Sequence, residues 1–156
     1  MIHSNINNAE IKEKIKEAIM KFLEKDKSYF LKYGVYEVAM SHRIAVYLED
    51  TFGGYVVDCE YNKMGDNPKT NAHGKKVRPD IIIHKRGQND NLVVVEVKHA
   101  GKTSKKANND INKLRAYMYK ELNYKIGVFV GVLKSKTYLC WVEKNSGKFD
   151  ETWETL

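Results

Sequence analysis

Apolar residues recur at helical spacing near the start of the chain. Ile11, Ile15, Ile19 and Phe22 are separated by lysines and glutamates, which predicts an amphipathic helix over 8–31. Gly34 separates it from a second helix over 35–52, which Gly53 and Gly54 close. The period then shortens. Residues 55–61 read as a strand, and 62–76 as a polar loop carrying Gly65, Pro68 and Gly74, close to the length of about 12–15 residues beyond which structureless loops are uncommon. Two runs rich in β-branched residues, 77–85 and 91–99, flank the turn formers Gly87, Asn89 and Asp90 and predict a hairpin. A third helix over 104–122 has the stripe Ala107, Ile111, Leu114, Met118 and Leu122. Two last strands, 125–133 and 137–143, flank a turn at 134–136, and the acidic tail from Asp150 is expected to be loosely held.

This order is helix, helix, three strands, helix, two strands. The strand–helix–strand step between 91 and 133 favours a right-handed parallel crossover, and the remaining pairings are antiparallel. The expected architecture is α/β, a mixed sheet with helices on both faces. The 156 residues, 42% hydrophobic and 30% charged, suit one globular domain. No apolar run is long enough to span a bilayer, and the polar start lacks a secretory core, so no membrane partner is expected. Cys59 and Cys140 lie far apart in apolar strand-like segments. They read as buried thiols in a reducing, cytoplasmic setting rather than as a disulfide framework. The net charge of +7 favours a polyanionic partner, either nucleic acid or an anionic surface, although it also serves solubility.

The hairpin concentrates the chemistry. Strand side chains alternate between faces, so Leu92, Val94, Glu96 and Lys98 share one face, as do Asp80, Ile82 and His84. A turn centred on Gln88 sets Lys85 opposite Asn91, Ile82 opposite Val94, Asp80 opposite Glu96 and Arg78 opposite Lys98. Two carboxylates then stand roughly 4.5–5.5 Å apart at Cβ, and a slip of one residue would separate them onto opposite faces. Such a pair among apolar neighbours demands a proton, Lys98 or a cation. Magnesium suits it, being held by one or two carboxylates with water and phosphate, and the Val97 carbonyl is a further oxygen ligand. An ammonium at Lys98 would acidify an attacking water and stabilise transition-state charge. The competing reading is a structural ion pair of Lys98 with Asp80 or Glu96 on a partly wet sheet.

Pro79–Asp80, an apolar strand, a short turn and Glu96-Val97-Lys98 resemble the PD-(D/E)XK nuclease superfamily, the restriction-endonuclease-like fold. The resemblance runs from Val35 to Glu143 and implies an αβββαβ core. It divides the single domain into an added helical extension (1–33), a core (34–145) and a tail (146–156). It implies that Asp80 and Glu96 bind magnesium, for which manganese can substitute, and that Lys98 assists the water. It further implies a glutamate on the helix before the first core strand. Glu37 is the candidate, sharing a face with Ser41, Ile44 and Leu48; an exposed glutamate near a helix N-terminus is the competing reading. The implied activity is endonucleolytic hydrolysis of DNA. The alternative is a nuclease-like module that binds nucleic acid or protein without cutting. Cutting both strands with so small a domain would be easiest for a homodimer.

Lys75, Lys76 and Arg78 before the hairpin, and Lys102, Lys105 and Lys106 after it, are the expected phosphate contacts. Asp110 and Lys113 read as a surface pair, His84 as a packed histidine, and Asp58 and Glu60 as solvent-facing strand acids. Histidines at zinc spacing, a glycine-rich phosphate loop and a nucleophile elbow are absent from the sequence.

Overall fold

Asn7 starts the first helix by accepting a hydrogen bond from the Glu10 backbone N–H at 2.9 Å, which satisfies one of the donors that a helix start leaves open. The computed structural model describes residues 6–156. The expected single leading helix is two: α1 (Asn8–Lys25) and α2 (Lys27–Lys32). They part at Asp26, which accepts from the Tyr47 hydroxyl at 2.5 Å and lies 3.6 Å from Arg43. Both partners belong to α3 (Glu37–Thr51), so a tertiary contact falls at the break.

The strands are β1 (Val56–Cys59), β2 (Lys63–Met64), β3 (Asn67–Pro68), β4 (Ile81–Lys85) and β5 (Asp90–Lys98). Then come α4 (Lys105–Tyr117), β6 (Ile126–Val132), β7 (Thr137–Asn145) and β8 (Lys148–Thr155). Six of them form one mixed sheet in the order β1-β4-β5-β6-β7-β8. Among the described residues, β5 and β6 pair in parallel, joined through α4, and the other pairings are antiparallel. The helices flank the sheet on both faces. On one side α1 and α3 cover Ile81, Ile83, Val93, Val95, Val97 and Val128. On the other, α4 packs Ile111 and Leu114 toward Ile82, Val94, Phe129 and Cys140. Among the described residues no helix is long and apolar enough to cross a membrane.

Four further expectations need correction. The 62–76 segment is not structureless: β2 and β3 pair within it, turning at Gly65 with φ +63°, and its Lys69 is buried. The acidic tail is not loose. Ser146 and Gly147 both take positive φ, a two-residue turn that returns the chain as β8 against β7. There Trp153 packs edge-on to Phe129 at 6.1 Å. Cys140 is buried as expected, but Cys59 is exposed, because it ends β1 at the edge of the sheet. Lastly, the hairpin register holds only near the site. Ile81↔Val95, Ile82↔Val94 and Ile83↔Val93 pair as expected, but an irregularity at Ile83/His84 shifts Lys85 to Asp90 instead of Asn91.

Candidate active site

Asp80 lies one residue before β4, and Glu96 lies one step past the last paired residue of that ladder, Val95. The two acids therefore meet where β4 ends and β5 continues. Asp80 accepts from the Val97 backbone N–H at 2.8 Å. The N–H and C=O of one strand residue point the same way, so the Val97 carbonyl also faces Asp80. The two carboxyls interact directly. Burial raises Glu96 to about 9, with the charges of Asp80 and Asp110 adding to it. Burial also raises Asp80, opposed by its bonds to Val97 and Glu96 and by the charge of Lys98. Raised that far, Glu96 holds a proton at neutral pH.

Glu96 is 3% exposed and its face of β5 looks toward α4. Three α4 residues complete this wall. Asp110 is 1% exposed, and among the described residues its Oδ2 has no hydrogen-bond partner. Lys113 donates to Asp110 at 2.9 Å. Burial pulls the Lys113 ammonium down, but that bond and the charges of Glu96 and Asp80 raise it overall. Tyr117 is buried, and its hydroxyl is pushed up by burial and by its contact with Glu96. The expected surface pair of Asp110 and Lys113 is thus a pair with one partner buried at the site. Its signal was spacing: residues 110, 113 and 117 follow one helical face, beside the apolar stripe.

Lys98 and Glu37 stand at the open end. Glu37 begins α3 and accepts from the His99 backbone N–H at 2.7 Å, and its other oxygen lies 3.9 Å from Lys98 Nζ. This ties the N-terminus of α3 to the end of β5. Gly131 sits opposite Lys98 on β6. A Cβ there would come within 2.5 Å of the Ala100 carbonyl oxygen, so glycine lets the chain leaving β5 cross β6 closely. Asp80, Glu96, the Val97 backbone, Lys98 and Glu37 are therefore neighbours. Among the described residues, no group of three or more His, Cys, Asp or Glu side chains is arranged to hold a metal ion.

The expected phosphate contacts are more scattered. Lys75, Lys76, Arg78, Lys102, Lys105 and Lys106 are all exposed. Arg78 does not meet Lys98, because the residues before Ile81 leave the ladder; it lies 3.8 Å from Glu60. Lys102 lies over the Trp153 ring at 5.3 Å. Lys105 and Lys106 open α4 after Ser104, which caps it by accepting from Ala107 N–H at 3.1 Å.

A second polar cluster lies about 13 Å along β4, four strand steps from Asp80. His84 Nε2 is 2.8 Å from Asp58, and Arg86 pairs with both Asp58 oxygens. Asp58 is therefore a tied residue, not a solvent-facing acid. Burial pushes its carboxyl up, but the bonds from Arg86 and His84 outweigh that and hold it low. Close by, Lys69 is 2% exposed, donates to the Tyr124 hydroxyl at 2.9 Å, and lies 5.7 Å from the Tyr61 ring centre.

No protein-family model, no curated protein and no solved structure matches the chain.

Proposed function

We propose that this protein is a metal-dependent nuclease that hydrolyses phosphodiester bonds, with DNA as the expected substrate. The observation that carries the reading is the meeting of Asp80 and Glu96 at the end of β4, facing a buried Asp110 oxygen that has no partner among the described residues. Selection for stability alone gains nothing from burying two acids side by side, since apolar residues of similar volume serve as well or better. The order α3, β1, β4, β5, α4, β6 follows the αβββαβ core of restriction-endonuclease-like proteins, with α1 and α2 added ahead of it.

The donor set fits magnesium or manganese. Magnesium takes one or two carboxylates and completes its shell with water and substrate phosphate, so three protein acids are not required. Asp80 and Glu96 would hold the ion, with the Val97 carbonyl as a third oxygen. When bound, the ion supplies Lewis-acid stabilisation at the scissile phosphate. The chain's own residues do the rest. Lys98 orients the attacking water and balances the charge gathering on the phosphate oxygens. Glu37 holds Lys98 and the His99 backbone in place. Asp110 and Lys113 set the field behind Glu96. Lys102, Lys105 and Lys106 would meet the phosphates on one side of the cut.

The alternative, a module that binds without cutting, is favoured by the near-complete burial of Glu96. Plasmid nicking with magnesium or manganese separates the two. The nuclease reading expects nicking that falls about 10³-fold in Asp80→Asn and about 10²–10³-fold in Lys98→Ala, the range for loss of a transition-state partner. Salt-dependent DNA binding without turnover, unchanged by either substitution, would leave the binding module standing.

A further inference from the structure

Next to the catalytic end lies a groove that neither the hairpin nor α4 explains. Its volume is about 720 Å³, and Leu23, Lys27, Leu31, Lys32, His99 and Lys134 line it. Leu23 and Leu31 pack against the core beneath. Lys32, His99 and Lys134 are exposed around them. Lys27 is half-buried, donating to the Thr137 hydroxyl at 3.3 Å. No acidic residue lines the groove, and among the described residues none of its three lysines pairs with a carboxylate.

The groove also adjoins the site covalently. His99 follows Lys98, and the His99 backbone is held by Glu37.

Its chemistry selects among polyanions. A cationic surface alone suits any phosphate backbone. Leucines within a ring of cations suit a ligand that is apolar and flat at one end and anionic at the other. An unpaired nucleotide has that form, because its base can cover the leucine surface while its phosphate meets the lysines. A duplex keeps its bases stacked inside and presents only phosphates, leaving the leucines wet. We propose that this groove binds an unpaired nucleotide flanking the scissile phosphate, so that the substrate is a single strand or the single-stranded end of a duplex. This rests on the nuclease reading for its placement beside the cut, but its binding can be measured without turnover.

The test is fluorescence anisotropy in EDTA, with a labelled 12-nucleotide single strand and the blunt duplex of the same sequence. The wild type is expected to bind the strand at least tenfold more tightly. The double variant Lys32→Glu/Lys134→Glu, both exposed positions, should weaken strand binding ten- to a hundredfold. It should also reduce the salt slope by about 0.7 for each lost phosphate contact. Leu31→Ser should erase the strand preference, with an unchanged circular dichroism spectrum showing that the fold survives. Equal affinity for strand and duplex, or a charge-reversed variant that binds as before, would overturn the groove. A protein that nicks plasmid with magnesium but fails this binding test keeps the nuclease reading and loses the groove. One that never nicks yet shows the charge-dependent strand preference loses the nuclease and keeps the groove.

Discussion

The two polar clusters on the α4-facing side of the sheet are built from similar residues and end in opposite states. Around His84, opposite charges meet: Asp58 faces Arg86 and His84, and nearby Lys69 is bonded by Tyr124 and flanked by tyrosine rings. Around Glu96, acids meet: Asp80, Asp110 and a Glu96 that keeps its proton at neutral pH share one wall, Lys113 pairs with Asp110, and among the described residues one Asp110 oxygen has no partner. Breaking the first arrangement should cost stability. Relaxing the second should gain stability, because burial there disfavours the charged form of each acid. On the proposed nuclease reading, the second arrangement is kept for chemistry at a cost in stability.

The widest separation is expected from matched substitutions. Asp80→Asn should abolish nicking, by about 10³-fold, while the metal-free melting temperature stays level or rises. Asp58→Asn should do the reverse. Nicking should stay within a few-fold, and urea unfolding should show a loss of roughly 1–2 kcal/mol, discounted because Arg86 is well exposed. If Asp58→Asn proves the more damaging to cleavage, the assignment of the two clusters is wrong.

The pH dependence of stability sharpens the contrast next. The Glu96 carboxyl rises from 4.5 to about 9 on folding. The folded state then binds more protons than the unfolded state between those values. Its contribution is complete below pH 4.5 and lost as pH climbs toward 9, by at most about 1.4 kcal/mol per pH unit. Lys69 behaves oppositely. Burial lowers its ammonium from 10.5 to about 8, so a penalty that is full below pH 8 lifts as pH rises to 10.5. Melting curves in EDTA should decline from pH 5 to 8, and Glu96→Gln should flatten that decline. Lys69→Met should remove the upturn above pH 8. Millimolar magnesium should reduce the decline by stabilising the charged acids. A wild-type curve that rises with pH over 5–8 would contradict the buried acid pair.

A smaller effect is expected on α4. Asp110→Asn removes a charge from behind Glu96 while keeping the shape. Nicking should drop about 10–100-fold, in the range for residues that support a metal site from behind, and the metal-free protein should melt at the same or a higher temperature. Asp110→Asn with full activity and a lower melting point would make Asp110 a purely structural partner of Lys113.

Much of this molecule was written in local pattern. The 3.6-residue stripes of α1 and α4 and the β-branched runs of β4, β5 and β6 depend on which side chains must be buried, and burial follows periodicity. The alternation along β5 put Glu96 and Lys98 on one face, and the hairpin arithmetic brought Asp80 to Glu96 although the turn itself was miscounted. The irregularity at His84 absorbs the error before it reaches Ile82. Period and parity are short-range properties, so a sequence can carry them.

What the sequence did not carry was anything set by the approach of distant elements. The break at Asp26 coincides with contacts to Tyr47 and Arg43, the burial of Lys69 reflects the packing of its loop near Tyr124, and Cys59 is exposed because β1 lies at an edge. Asp110 looked like half of a surface pair until α4 crossed over β5 and turned it toward Glu96. The groove at His99 exists only because α2 folds back beside the end of β5 and the β6–β7 turn. Each depends on which surfaces exclude water together. That is a property of the assembled layers, and no single stretch of chain contains it.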